Sequence, residues 1–424
     1  MTEAKSSPIP AAVARIPGSK SLTNRALVLA ACAIGTTTVR RPLISEDTLA
    51  FAEALRTMGT RVDRAEDSWT VEGTSGDFAS LGTVWCADAG TAARFLPPVA
   101  GLVPRGFSFD GSDQLRRRPL GPLLGALRSL GAEVWPTDGH GLPISVKGAP
   151  QQLSGPREIE LPSGLSSQFV SGLLMAAPLA RGLTLRTSDL VSRPYVDMSI
   201  TLMADFGVLV DEPEPGVFVV PDQPLRSPGV FAVEPDASTA SYVFAGAALT
   251  RRAIRVDGLG RNSLQGDLAF VDVLAQMGCS VAIGDHTTSV TGAQLPLRGG
   301  FTVDMGEISD TFMTAACLAP FADAPIRITG VAHARLKESD RIAAVATNLR
   351  AAGVRVDEGD SWLEIHPGRP QPARIDCHRD HRIAMSFSVL GLRADGIMLD
   401  DPACVGKTFP GFFEEFDRLF RDPS

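Results

Sequence analysis

Met58-Gly59-Thr60-Arg61-Val62 recurs four more times along a chain of 424 residues. The copies are Leu130-Gly131-Ala132-Glu133-Val134, Phe206-Gly207-Val208-Leu209-Val210, Met277-Gly278-Cys279-Ser280-Val281 and Ala352-Gly353-Val354-Arg355-Val356. Their glycines stand 72, 76, 71 and 75 residues apart (131 − 59, 207 − 131, 278 − 207, 353 − 278). Each closes a helical pattern, where glycine accepts the left-handed backbone of a helix C-terminus, and the valine three residues on opens a strand. A polar turn and a second strand follow, as in Val62-Asp63 leading through Asp67-Ser68 to Thr70-Val71, and Val356-Asp357 leading through Asp360 to Leu363-Glu364-Ile365. These segments predict hairpins.

Upstream of each copy comes a strand, a short polar tip and a helix that is apolar nearly all round. The apolar stretches are Ala26 to Ala33, Phe95 to Leu102, Phe169 to Leu179, Tyr242 to Leu249, Phe312 to Leu318 and Ile383 to Leu390; a sixth, partial unit ends at Phe412 to Phe420. A helix apolar on every face is buried on every face. The pattern therefore predicts an α/β chain of two domains. Each has three repeated units, with buried helices inside and mixed four-stranded sheets outside. A doubly wound parallel sheet fits worse, because hairpins demand antiparallel pairs. The expected domains are residues 18–234 and residues 235–424, the latter joined by residues 1–17 through a strand around Ala12 to Ile16, with the active site in the cleft between them.

Composition narrows the function. Hydrophobic residues make up 44% of the chain and the formal net charge is −8, so a large core is available and bulk attraction to nucleic acid or anionic membrane is disfavoured. An anionic ligand must be met by a local basic cluster. Cys32, Cys86, Cys279, Cys317, Cys377 and Cys404 are dispersed without a CxxC pair, which predicts reduced thiols and no zinc site. Met1 to Pro10 lacks a signal pattern and no apolar run approaches ~18 residues, so a cytoplasmic protein is expected.

The unusual residues gather at the six tips: Gly18-Ser19-Lys20-Ser21, Asp88-Ala89-Gly90-Thr91, Ser166-Ser167-Gln168, Asp236-Ala237-Ser238, Glu307-Ile308-Ser309-Asp310 and Asp380-His381-Arg382. Free N–H groups and the positive end of the helix dipole make such tips anion sites, although Ser, Thr and Asp are also ordinary N-caps. Gly18-Ser19-Lys20-Ser21 lacks the glycine spacing of a nucleotide P-loop.

Pro17-Gly18-Ser19-Lys20-Ser21-Leu22-Thr23-Asn24-Arg25-Ala26-Leu27 closely resembles the opening motif of the 5-enolpyruvylshikimate-3-phosphate synthase family. The likeness continues in order through Ala89-Gly90-Thr91-Ala92, Arg118-Pro119, Ser166-Ser167-Gln168-Phe169, Ser192-Arg193-Pro194-Tyr195, Gly260-Arg261-Asn262-Ser263, Lys337-Glu338-Ser339-Asp340-Arg341, Asp380-His381-Arg382-Ile383-Ala384-Met385 and Lys407-Thr408-Phe409-Pro410. The resemblance implies the enolpyruvyl transferase fold, two inside-out α/β barrel domains. It implies transfer of the enolpyruvyl group of phosphoenolpyruvate to the 5-hydroxyl of shikimate 3-phosphate, on the route to chorismate and the aromatic amino acids. Lys20, Ser21, Arg25, Ser166, Ser167, Gln168, Ser192, Asp310, His333 and Lys337 are then expected to hold shikimate 3-phosphate. Lys20, Gly90, Arg118, Gln168, Arg341, Arg382 and Lys407 are expected to hold phosphoenolpyruvate, and Asp310, Glu338 and Lys20 to move protons. His381 is expected to orient its neighbours.

No cofactor or metal is implied, and the two small-molecule substrates are the only partners expected of a monomer. In the family, glyphosate takes the phosphoenolpyruvate site and extends towards Gly90. This sequence departs from the family at Asp88 and His333, where Asn is frequent, and at Phe95, where one branch has Pro; Asp88 beside a dianion requires a basic neighbour. Two rivals are a UDP-N-acetylglucosamine enolpyruvyl transferase and a non-catalytic binding protein on the same scaffold. The first usually carries a reactive Cys in the loop that here reads Gly111-Ser112-Asp113-Gln114-Leu115-Arg116-Arg117-Arg118. The second is disfavoured by Lys20, Asp310, Glu338 and Arg382 occurring together.

Overall fold

A computed structural model describes residues 11–136, 140–148, 157–162 and 164–421. The chain groups into two units, Gly18–Glu234 with Leu336–Glu338, and Met1–Pro17 with Pro235–Arg335 and Ser339–Ser424. Residues 336–338, expected with the C-terminal half, therefore group with the first of these.

All five repeat glycines have positive φ, between 76° and 97°. Each sits two residues past the end of a helix, just beyond its C-cap, and bonds in the same way. Gly59 N donates to Arg56 O and Thr60 N to Leu55 O, and the bonds recur at Gly131, Gly207, Gly278 and Gly353. This is the Schellman closure, and only glycine takes its left-handed position without strain. The next strands begin at the valine in Val62–Arg64 and Val356–Gly359 and one residue before it in Glu133–Trp135 and Ser280–Ile283, while Val210 falls one residue short of the strand Asp211–Glu214.

In residues 18–234 three sheets surround three helices. Their strand orders are Val230–Ala232, Thr36–Arg40, Ser68–Glu72, Val62–Arg64; then Thr83–Trp85, Gly106–Asp110, Ile144–Lys147, Glu133–Trp135; then Arg157–Pro162, Leu183–Ser188, Val217–Val220, Asp211–Glu214. In every sheet the first pair is parallel and the other two are antiparallel, the hairpin included. The helices Lys20–Cys32, Ala92–Gly101 and Ser167–Ala176 pack on one another inside, and every residue of the second is buried.

The other unit repeats the plan around Ala237–Thr250, Phe312–Leu318 and His381–Leu390; thirteen of the fourteen residues of Ala237–Thr250 are buried. Ala12–Ala14 pairs in parallel with Ala253–Asp257, at the edge of a sheet completed by Thr287–Thr291 and Ser280–Ile283. Phe301–Asp304, Ile326–Thr329, Trp362–Ile365 and Val356–Gly359 form the second sheet. The third corrects the expectation of four strands throughout. Among the described residues it holds only the parallel pair Ala373–Ile375 and Ile397–Leu399.

The six cysteines are free thiols. Burial raises Cys32 and Cys86 to about 12 and pushes Cys317 up as well. Among the described residues no helix is long and apolar enough to cross a membrane.

Candidate active site

Four of the six tips are capped by their own side chains. Ser19 accepts from Leu22 N, Ser166 from Gln168 N, Asp236 from Thr239 N and Asp380 from Arg382 N. Capping fixes each helix start and so fixes the residues that follow it.

In residues 18–234, Lys20 opens the first core helix and its Nζ lies 3.3 Å from Oδ2 of Asp47, a carboxylate only 4% exposed. One turn on, Arg25 is fully buried and bonded to neutral oxygens: Ser199 Oγ at 2.7 Å, Ser171 Oγ at 3.4 Å, and the carbonyls of Tyr195 at 2.9 Å and Ser21 at 3.1 Å. Its guanidinium lies 5.2 Å from the Phe95 ring centroid and 5.9 Å from that of Tyr195. Burial lowers its pKa to about 10. Ser192, at the start of the helix Arg193–Asp205, takes φ 51°, a left-handed conformation that a non-glycine residue adopts only under constraint.

A second group surrounds Gly90. Arg118 NH2 lies 3.5 Å from Glu338 Oε2, both side chains 8% exposed, and Gln114 Nε2 donates to the Glu338 carbonyl at 2.8 Å. Arg118, Ser166, Gln168 and Lys337 line one small cavity with Arg94. Asn24 Nδ2 ties the Gly90 tip to the first core helix through Thr91 Oγ1, at 2.7 Å. Asp88 accepts a hydrogen bond from Ser112 Oγ in the following loop.

In the other unit, charges are matched. Arg341 Nε reaches Asp380 Oδ2 at 2.8 Å and its NH1 reaches Asp310 Oδ1 at 2.9 Å, while Arg382 NH2 reaches Asp310 Oδ2 at 2.7 Å. Arg382 NH1 stands 3.5 Å from the Tyr242 hydroxyl, whose pKa burial pushes up. His333 Nε2 is 2.8 Å from Ser309 Oγ, next to Asp310. Lys407 is buried at the end of the turn Pro402–Lys407, and His381 is fully buried beside Asp380.

The structure thus brings the expected residues into three groups: Ser21 with Arg25; Gly90, Arg118, Ser166, Gln168, Lys337 and Glu338; and Asp310, Arg341 and Arg382. Both carboxylates expected to move protons are also ion-paired with arginine. Sequence reasoning passed over Asp47, Arg94 and the carboxylate of Asp380. Only Arg94 had a signal, as the single charge in the apolar run from Ala92 to Val99.

Among the described residues one group, Asp357, Glu364 and His366, offers metal-ligand atoms within 4.8 Å of one another. His366 Nε2 and Arg355 NH2 hold Asp357 at 2.8 and 3.2 Å, and Arg327 NH1 holds Glu364 at 3.5 Å, an ion-pair network on an outer hairpin.

The model of the EPSP synthase (3-phosphoshikimate 1-carboxyvinyltransferase) family matches residues 4–416. The 3-phosphoshikimate 1-carboxyvinyltransferase of Paraburkholderia phytofirmans is 40% identical over 416 residues, 96% of each chain, and that of Trichormus variabilis is 39% identical over 414 residues, also 96% of each. An EPSP synthase structure from Acinetobacter baumannii superposes with a TM-score of 0.80 at 26% identity, covering 97% of this chain and 96% of that one. The enolpyruvyl transferase NikO from Streptomyces tendae shares the fold, with a TM-score of 0.77 at 20% identity, over 97% of this chain and 95% of that one. A repeat closed five times by the same glycine, and tips that keep their ionic residues in three groups, are thus those of a known kind of protein: the chain belongs to the EPSP synthase (3-phosphoshikimate 1-carboxyvinyltransferase) family.

Proposed function

We propose that this enzyme transfers the enolpyruvyl group of phosphoenolpyruvate to the 5-hydroxyl of shikimate 3-phosphate, giving 5-enolpyruvylshikimate 3-phosphate and phosphate. One observation carries the reading beyond family membership. Each carboxylate with an expected proton-transfer role is in contact with arginines expected to bind the donor, Glu338 with Arg118 and Asp310 with Arg341 and Arg382. An arriving carboxylate or phosphate competes for those guanidiniums and so changes the electrostatic surroundings of each acid.

Shikimate 3-phosphate is held by Lys20, Ser21, Arg25, Ser166, Ser167, Gln168, Ser192, Asp310, His333 and Lys337. Phosphoenolpyruvate meets Lys20, Gly90, Arg118, Gln168, Arg341, Arg382 and Lys407. The acceptor hydroxyl loses its proton as its oxygen attacks C2 of the donor, whose methylene carbon gains a proton. The tetrahedral ketal then expels phosphate, and loss of a methyl proton restores the double bond. Lys20, Asp310 and Glu338 share these transfers, and the cations neutralise the departing phosphate. The protein works as a cytoplasmic monomer.

Phosphate release measured with both substrates tests the activity. Release that requires shikimate 3-phosphate and is not supported by UDP-N-acetylglucosamine is expected. No release from the purified protein would sink the proposal, and sedimentation at micromolar concentration checks the monomer.

A further inference from the structure

Arg94 lies in the core helix Ala92–Gly101 between Ala93 and Phe95 and is 3% exposed. NH1 donates to the Gly90 carbonyl at 2.9 Å, and the guanidinium carbon lies 5.8 Å from the Phe169 ring centroid. Nε is buried without a hydrogen-bond partner. A second guanidinium faces the same glycine. A Cβ added at Gly90 would stand 2.6 Å from Arg118 NH1 and 2.8 Å from Arg94 NH1. Arg118 Nε and Gln168 Oε1 are also buried without partners. The cavity that these side chains line has a volume of about 10 Å³, room for a single water.

Two buried guanidiniums therefore share one carboxylate, Glu338. Burial and the neighbouring Arg118 lower Arg94 to about 9, against the pull of Glu338. Arg94 stays protonated at neutral pH, so the native state retains a cation that its surroundings disfavour. Where only the fold is at stake, an apolar side chain of similar volume usually serves as well or better.

We propose that Arg94 is a positioning residue for Arg118: it anchors the Gly90 carbonyl and, by like-charge repulsion across that glycine, holds the Arg118 guanidinium turned towards Glu338. The inference rests on the reading of Arg118 as a ligand of the donor anion. Arg94 shapes the donor site without being consumed or titrated in the reaction, and it acts only while Arg118 is there to be positioned.

A double-variant cycle tests this with Arg94→Met, Arg118→Met and the two combined, read by the KM of phosphoenolpyruvate, the KM of shikimate 3-phosphate and the thermal midpoint. Arg94→Met is expected to raise the KM of phosphoenolpyruvate about tenfold, a typical coupling between neighbouring charged groups. The KM of shikimate 3-phosphate stays within about twofold, and the thermal midpoint is unchanged or higher. In the Arg118→Met background the same change adds nothing further. Arg94→Lys, which keeps the charge without the planar fork, recovers part of the loss. A full Arg94 effect that persists without Arg118 overturns the proposal, as does a lower midpoint with equal rises in both KM values. If the wild-type protein releases no phosphate, the activity reading alone fails. The cycle is then read from the thermal shift induced by inorganic phosphate, with the same absence of additivity expected.

Discussion

In the C-terminal unit Arg341 meets two aspartates and Arg382 one of the same two, so two cations face two anions within 3 Å. In the unit of residues 18–234 and 336–338, Arg25 is wrapped by two hydroxyls and two carbonyls, while among the described residues Arg118 pairs with Glu338 and Arg94 feels the charge of both. The first arrangement is charge-balanced before any ligand arrives; the second has cation in excess. Balanced pairs hold each guanidinium in one geometry, and a ligand must exchange with a carboxylate to reach it. Unbalanced guanidiniums keep donor capacity for an anion, at the expense of stability while the site is empty. The lowered pKa values of Arg25 and Arg94, about 10 and about 9, show that strain. Both groups are protonated in folded and unfolded chains at pH 7. The penalty is therefore present in full at neutral pH, and it lifts only as pH rises through the folded values towards 12.5.

The largest expected effect breaks the balanced side. Asp380 is fully buried and also caps the helix His381–Leu390, so Asp380→Ala removes a cap and one of the two aspartates that meet Arg341. Loss of one partner from a buried ion pair costs about 3–5 kcal/mol. Urea denaturation should show a loss of that size. A change under about 1 kcal/mol would mean that Asp310 suffices and that the balance is not structural. Next in size come the proton carriers: Asp310→Asn and Glu338→Gln should each lower kcat by about 100-fold or more. Shikimate 3-phosphate affinity should change far less, by calorimetry. Near-normal turnover in both variants would leave the two carboxylates as mere counter-ions.

The contrast between the two units was only partly legible in the sequence. Periodicity gave the helices, hairpins and closing glycines, because Gly59 and its four counterparts occupy a backbone conformation that other residues resist. The tips were legible too, since polar and charged residues gather at the starts of the apolar helices. What the chain conceals is who neutralises whom. Asp47 reads as one more acid in the first turn of an outer helix, yet it folds back onto Lys20 across 27 residues. Arg341 and Asp310 are 31 residues apart and meet because the helix that Arg341 opens, Arg341–Ala351, packs on the core helix Phe312–Leu318 that Asp310 precedes. Arg94 was visible as a lone charge in an apolar run, but nothing in the sequence placed Arg118 across the same glycine.

A smaller effect is expected where the cation is already in excess. Arg25→Met removes a cation proposed to hold shikimate 3-phosphate, and a charge-assisted hydrogen bond contributes about 1.5–3 kcal/mol. The dissociation constant should rise by about tenfold to 100-fold at pH 7. The KM of phosphoenolpyruvate should hold, because Arg25 and Arg118 belong to different groups of the unit. Equal weakening of both ligands would merge those groups into one site and remove the distinction between them.

The finest test is a single methyl group at Gly90. Glycine here is not demanded by φ, since Gly90 is absent from the positive-φ residues. It is demanded by space. The new Cβ would lie 2.6 Å from Arg118 NH1, 3.1 Å from its Cζ and 2.8 Å from Arg94 NH1. Both contacts are ends of flexible side chains, but both side chains are buried beside a cavity of only about 10 Å³, so they can yield only part of the distance. Overpacking of this kind costs about 1–3 kcal/mol. Gly90→Ala should therefore displace Arg118 and raise the KM of phosphoenolpyruvate by up to about tenfold. The family resemblance adds that glyphosate reaches further towards this glycine than the natural donor does, so its inhibition constant should rise more than the KM. Steady-state kinetics with both ligands separates the causes. Equal losses would assign the whole effect to the moved guanidinium. A larger loss for glyphosate would mean that the methyl group meets the inhibitor itself. No loss for either ligand would place Gly90, and with it the excess cations around it, outside the donor site.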